Sequence, residues 1–502
     1  MQADAPVNIA TDEVPQSMKT TAEHYNVIVV GAGFAGLGAA IKLQQAGFDF
    51  QILEKAAEIG GVWRDNNYPG CACDVPSALY SYSFAPNPHW RQLFAEQSEI
   101  KDYTADVARR FDLTSSIRLN HELLSATWNA GAQHWHLVTN AGAFTACFVI
   151  MACGPMHKPA LPHIKGIESF TGVSFHSAQW DHSCDLTGKR VAVIGSGASA
   201  IQFVPMIQPE VDHLTLFQRT APWVLPKMDA LISKKWQRRF ERYPILQRLL
   251  RQLLYLGFEK LNSSLTKPKF RSRLEARALA NINRAISNSS LKEKLVPNFA
   301  IGCKRILQSN TWYPALAESN VEVVAGIAEV QGNELIAEDG SRCEVDVIIY
   351  GTGFEVANPP IAEVIIGSQG VSLADQWQGS PEVFLGTMAQ DCPNLFLTFG
   401  PNLYTFSSAF VIIEAQLKYI IKALTQLRSR KLATLTVKPE ISQAYNEALQ
   451  QALKTSIWNS GGCTSYFIDK NGRNSTNWPW TTFYMRRRLR QFKLSDYQIT
   501  PQ

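Results

Sequence analysis

The sequence predicts an α/β fold with two Rossmann-type dinucleotide-binding domains and a helical insertion in the second. Three observations carry this expectation. A strand–glycine turn–helix unit begins at Gly31, the same unit recurs at Gly195, and strand patterns vanish from Asp229 to about Pro297, where Lys, Arg, Leu and Tyr recur at helical spacing. With 502 residues, 46% of them hydrophobic and 18% charged, the chain is too long for one ordinary domain and can bury two or three cores.

In the first unit, the apolar run Tyr25 to Val30 leads into Gly31-Ala-Gly33-Phe34-Ala35-Gly36 and then a helix-compatible run from Leu37 to Gly47. The first glycine permits the tight turn, the second lets backbone approach a pyrophosphate, and the third allows close helix–strand packing beneath the positive helix N-terminus. The next strand, Phe48 to Leu53, ends in Glu54, 23 positions after Gly31. A carboxylate there accepts hydrogen bonds from ribose hydroxyls and repels a 2′-phosphate, which suits FAD. In the second unit, Arg190 to Ile194 leads into Gly195-Ser196-Gly197-Ala-Ser199-Ala200, and the strand Leu214 to Gln218 ends in Arg219, 24 positions after Gly195. Arg219 with Thr220 suits the 2′-phosphate of NADPH, so the two units together imply hydride transfer from nicotinamide to flavin.

A net charge of +5 is small for this length and gives little support to nucleic-acid binding. The nine cysteines are scattered and lack a C-x-x-C, which fits reduced thiols in a cytoplasmic setting and implies no metal site and no disulfide reductase. No signal-peptide pattern is present, and nothing reaches the roughly 18 uninterrupted apolar residues of a spanning helix. The oligomeric state is not readable.

Three further strings narrow the chemistry. Phe170 to Asp181 reads F-x-G-x-x-x-H-x-x-x-W-D around His176 and Trp180; Gly60 to Asp74 reads G-G-x-W-x-x-x-x-Y-P-G-x-x-x-D through Gly61 and Trp63; and Gly302-Cys-Lys304-Arg305-Ile306 precedes Ser309, Trp312, Tyr313 and Pro314. Together they resemble the fingerprints of the Baeyer–Villiger monooxygenases, in the branch similar to hydroxyacetophenone monooxygenase, although Ile306 stands where that family commonly has proline. The resemblance implies an enzyme that uses FAD, NADPH and O₂ to insert oxygen beside a ketone carbonyl through a C4a-peroxyflavin, giving an ester or lactone. It implies that Arg305 is catalytic, that Asp74 orients a cation or the nicotinamide amide, and that Lys304 helps hold NADP. It places Val62, Tyr80 and Leu123 with Trp63 beside FAD, Ala72 and Cys73 beside NADP, and His176 and Trp180 in a linker between domains. An N- or S-oxygenating flavin monooxygenase is the enzymatic alternative, and a flavin-binding redox sensor or scaffold is the non-enzymatic one.

Along the chain, residues 1–22 read as a flexible arm, 23–158 as the first part of the FAD domain and 159–228 as the first part of the NADP domain. Residues 229–297 form the helical subdomain, 298–384 the rest of the NADP domain, and 385–502 the rest of the FAD domain with the tail. Met151 to Gly154 and Gly351 to Phe354 look like crossings between domains. The basic amphipathic stretch 234–256 fits either a helical lid or contact with an anionic membrane surface. The tail from Gly472 to Pro479 is expected near the active site by the same resemblance.

Overall fold

A computed structural model describes residues 22–502, so the arm expected over 1–22 lies outside the described residues except for Ala22. The strand Glu23–Val30 lies inside the first sheet, flanked in parallel by Phe50–Leu53 and Gly142–Met151. Val27, Ile28 and Val29 are fully buried, as expected for a parallel strand covered on both faces. The helix Phe34–Gln45 lies on one face and packs against the long helix Ala409–Arg430. An antiparallel meander, Leu123–Asn129, His134–Thr139 and the start of Gly142–Met151, extends the sheet on the other side. The end of Gly142–Met151 leaves the meander and pairs in parallel with Leu395–Leu397.

The second sheet has five parallel strands in the order Val321–Val324, His213–Phe217, Arg190–Ile194, Val347–Tyr350, Val173–His176. The expected insertion forms four helices, Lys234–Arg242, Pro244–Ser264, Pro268–Ala285 and Ser289–Leu295.

Two expectations are corrected. The chain rejoins the first sheet well before residue 385, because Ile365–Ile366 pairs with Ala126 and Thr127, and Ile365, Leu373 and Trp377 share an apolar cluster with Leu123, Trp128 and Leu395. The strand is only two residues long, too short to leave a periodic signal. The nine cysteines are not all thiols: Cys303 and Cys463 form a disulfide with their Cα atoms 6.1 Å apart. Their 160-residue separation hid the pairing. Tail packing creates it, since the amide of Ala300 donates to Gly461 O (2.9 Å) and draws the two loops together.

Gln416 joins the long helix to the first sheet. Fully buried, its Nε2 donates to the carbonyls of Gly386 (2.9 Å) and Leu397 (3.1 Å), and its Oε1 accepts from Phe399 N (2.7 Å). Gln416→Leu keeps the volume but strands these backbone groups, and each buried group left unsatisfied costs about 1–3 kcal/mol. A lower urea-unfolding midpoint with an unchanged far-UV spectrum is the expected result.

Candidate active site

The two glycine turns are built alike. Gly31 has φ +104°, and a Cβ there would lie 2.7 Å from Ala152 O; Gly195 has φ +107°, and a Cβ there would lie 2.6 Å from Gly351 O. Each first glycine therefore rests on the carbonyl of a crossing segment, and no side chain fits. A Cβ on Gly36 would collide with Gly31 O at 1.8 Å, whereas Ala200 at the equivalent place in the second turn carries its methyl 3.4 Å from an ideal Cβ on Gly351. Gly61, with φ +55°, brings its backbone against Gly33, since its Cβ would lie 3.3 Å from Gly33 Cα. The second fingerprint thus folds onto the first, leaving backbone, not side chains, to face a pyrophosphate.

Glu54 is buried at the end of its strand. It accepts from Ala32 N (2.7 Å), Ala56 N (3.1 Å) and Arg64 Nη1 (3.0 Å). A carboxylate has about four acceptor sites, so a ribose hydroxyl still has a place. Arg64 was not singled out in the sequence; a lone arginine after a Gly-Gly-x-Trp string carries no spacing signal. Trp63 Nε1 donates to the Tyr80 hydroxyl (3.0 Å), which locks that aromatic pair. Leu123 is buried at the start of the meander, just after His121, whose amide donates to Glu54 O (2.9 Å).

Asp74 and Arg305 form a bidentate pair, Nε to Oδ2 at 2.7 Å and Nη2 to Oδ1 at 2.6 Å. Arg305 Nη1 donates to the Tyr404 hydroxyl, and the guanidinium lies 5.8 Å from that ring's centre. Burial is the largest effect and opposes the charge of Arg305, but Asp74, Tyr404 and Tyr466 together outweigh it and hold the pKa well above the ordinary value. Three of the five guanidinium N–H groups are used in these bonds, and two remain for a ligand. Tyr404 is a site residue that sequence reasoning missed. Cys73, next to Asp74, is buried, and desolvation raises its thiol pKa far above the ordinary value.

Lys304 lies over the Phe299 ring (5.1 Å), and its pKa is lowered by burial and then by the positive charge of Arg219. Two cations thus converge beside the second turn, where Ser196 Oγ donates to Thr220 O (3.2 Å). Like charges brought together need an anion, and a phosphate monoester supplies one.

Gln202, on the helix Ala200–Ile207, ties the units together. Its Nε2 donates to Ala72 O (2.9 Å), and its Oε1 accepts from the Tyr68 hydroxyl (2.9 Å). Ser199 lies against the same Tyr68 hydroxyl. His176 is buried at the end of its strand, with Nδ1 accepting from Ala178 N (3.1 Å) and its ring against Phe354 of the crossing segment (5.8 Å). Burial lowers its pKa, which favours the neutral ring. Trp180 packs between Phe175 and Phe203, both 5.2 Å away, so it is a packing residue of the linker. The tail reaches the site through backbone: Asn402 N donates to Ser475 O (3.0 Å), Tyr404 N to Thr476 O (3.0 Å) and Trp478 N to Tyr404 O (2.9 Å). An apolar cleft beside Tyr404 is lined by Met151, Cys153, Leu397, Pro401 and Thr476.

Comparison with known proteins gives one answer. The flavin-binding monooxygenase-like family profile matches residues 24–375. A Baeyer–Villiger monooxygenase of Streptomyces coelicolor is 46% identical over 95% of this chain and 93% of its own. One from Pseudomonas aeruginosa is 44% identical over 97% and 93%. Among solved structures, an oxidized steroid monooxygenase bound to NADP superposes with a TM-score of 0.85 at 27% identity, covering 95% of this chain and all of that one. A closed cyclohexanone monooxygenase gives 0.86 at 23% over 96% and 100%, which speaks for the fold alone. The chain belongs to the flavin-binding monooxygenase-like family, among its Baeyer–Villiger monooxygenases.

Proposed function

We propose that this protein uses FAD and NADPH to insert one oxygen atom of O₂ beside a ketone carbonyl, giving an ester or lactone. The observation that carries this reading is Arg305, held in a bidentate grip by Asp74 between the two nucleotide turns with two N–H groups unspent. The relatives at 46% and 44% identity are named Baeyer–Villiger monooxygenases, and a cleft lined by Met151, Leu397 and Pro401 suits an apolar ketone. We place the reaction in the cytoplasm, where NADPH is supplied.

The cofactors fit the residues present. Gly31, Gly33, Gly36 and Gly61 offer backbone to the FAD pyrophosphate, Glu54 offers an acceptor to the adenosine ribose, and Val62, Trp63, Tyr80 and Leu123 shape the apolar walls. Gly195, Ser196, Gly197, Ser199 and Ala200 receive the NADPH pyrophosphate, Arg219, Thr220 and Lys304 hold its 2′-phosphate, and Ala72 and Cys73 approach from the flavin side. Flavin bound there would supply the two-electron chemistry that couples nicotinamide oxidation to O₂ reduction, one oxygen atom going to the ketone and the other leaving as water.

Each protein group then has a defined task. Asp74 fixes the plane of the guanidinium, so its free N–H groups meet developing negative charge on oxygen without reorganising. Arg305 is permanently charged and stabilises the oxyanion that forms at the ketone carbonyl. Tyr404 accepts from Nη1 and lines the neighbouring apolar cleft. The aromatic surround of Trp63 and Tyr80 keeps water from the reacting atoms. Oxygenation of amines or thioethers would need no such cation, which is why Arg305 favours the ketone reading.

Arg305→Ala should bind FAD and accept hydride from NADPH, yet release hydrogen peroxide in place of ester. Losing one preorganised donor costs about 10²–10³ in rate. Ester formed per NADPH consumed is the measurement; undiminished ester would remove Arg305 from the chemistry. Tyr404→Phe should lower the same ratio by a smaller factor, about 2- to 13-fold, corresponding to one hydrogen bond of about 0.5–1.5 kcal/mol. Arg219→Ala should raise KM for NADPH by about 10- to 160-fold, from a lost charge-assisted bond of about 1.5–3 kcal/mol. NADH kinetics should be unaffected, and equal losses with both coenzymes would place Arg219 elsewhere.

A further inference from the structure

The helix Pro244–Ser264 carries a second apolar stripe on its outer face. Ile245, Leu249, Leu253 and Leu256, at i, i+4, i+8 and i+11, form one stripe, and they are 57%, 54%, 67% and 60% exposed. The face turned to the protein mixes apolar and polar contacts: Tyr255 is buried and Leu254 and Phe258 pack against the core, while polar side chains beside them bond to backbone. Gln247 Nε2 donates to Asn87 O (2.6 Å), and Arg251 Nη1 donates to the carbonyls of Ala78 (3.0 Å), Leu79 (3.1 Å) and Ser81 (2.7 Å). Arg251 also pairs with Glu414 (3.4 Å), and the Thr482 hydroxyl donates to Glu259 and accepts from the Tyr255 hydroxyl (3.2 Å). An ordinary surface helix buries its leucines and exposes its charges. Here polar anchors at 247, 251, 255 and 259 hold the helix so that the leucine stripe points outward.

The preceding helix, Lys234–Arg242, continues the same surface. Trp236 and Tyr243 are about half exposed, and Lys234, Lys235, Arg238, Arg239, Arg242 and Arg248 are exposed around the stripe. Between residues 234 and 258 the sole carboxylate is Glu241. A second copy of the chain docking here about a two-fold axis would set this basic rim against itself. Anionic lipid headgroups would neutralise it, while the interfacial acyl region would take up the leucines and the Trp236 and Tyr243 rings. We propose that this face docks on an anionic lipid bilayer, with the helix Pro244–Ser264 lying in the plane of the interface. The docked helix is bonded through Arg251 to Leu79 and Ser81, the residues on either side of Tyr80. The membrane-facing element is therefore tied to the segment that holds Trp63.

The test uses the full-length, FAD-loaded protein sedimented with vesicles of phosphatidylcholine, alone or mixed with phosphatidylglycerol. Binding to the mixed vesicles alone, reversed by high salt, is the expected result. The triple variant Leu249→Asn, Leu253→Asn, Leu256→Asn should lower the partition coefficient at least about tenfold per leucine. The variant Lys234→Gln, Lys235→Gln, Arg238→Gln should lower it about fivefold per charge. FAD content and unfolding midpoint should match wild type in both, because the altered side chains touch solvent. Failure of the wild type to bind mixed vesicles at low salt overturns the proposal, as does binding that the leucine variant retains in full. A dimer seen by sedimentation velocity and dissolved by the leucine changes would assign the face to a second copy instead.

Discussion

The pair between Asp74 and Arg305 spans 231 residues and can form in one relative position of the two nucleotide-binding units. A bidentate contact tolerates little displacement, because both N–H groups must meet both carboxylate oxygens at once. Much of the structure serves that requirement. Gly70 packs so close to the second unit that a Cβ would lie 2.9 Å from Gln202 O, and Gln202 in turn bonds Ala72, two residues before Asp74. On the other side, the disulfide between Cys303 and Cys463 fixes the residue next to Lys304 to the tail.

The tail has a similar part. By pairing its backbone with Asn402 and Tyr404, it converts the turn after Leu395–Leu397 from a free loop into a braced one, and Tyr404 is thereby held against Arg305. Three parts of the chain far apart in sequence meet at one guanidinium: the second fingerprint through Asp74, the turn near residue 404, and the Lys-Arg string itself. A cation so placed is desolvated and yet stays charged, because Asp74, with Tyr404 and Tyr466, offsets the effect of burial.

The outward leucine stripe makes a contrasting use of polar contacts. Elsewhere in the molecule buried polar groups are bonded to hold apolar cores together, as Gln416 does between the long helix and the first sheet. In the helix Pro244–Ser264 they hold an apolar surface away from the core. Periodicity alone identifies an amphipathic helix there but is silent on which face turns inward, since the direction depends on what lies opposite.

The sequence by itself determined the two Rossmann units, because the geometry of a glycine turn is local: Gly31 and Gly195 adopt positive φ, and Gly36 leaves no room for a methyl, whatever lies beyond. It also determined the contrast between Glu54 and Arg219, since each ends the strand after its own turn and its position follows from counting. The return of Ile365–Ile366 to the first sheet, the Cys303–Cys463 link, the reach of Tyr404 to Arg305 and the bridge made by Gln202 were decided by tertiary structure alone. Each joins residues whose separation along the chain bears no relation to their distance in space. No spacing rule applies to such contacts, because they come from packing whole elements against one another and not from the conformation of any single segment.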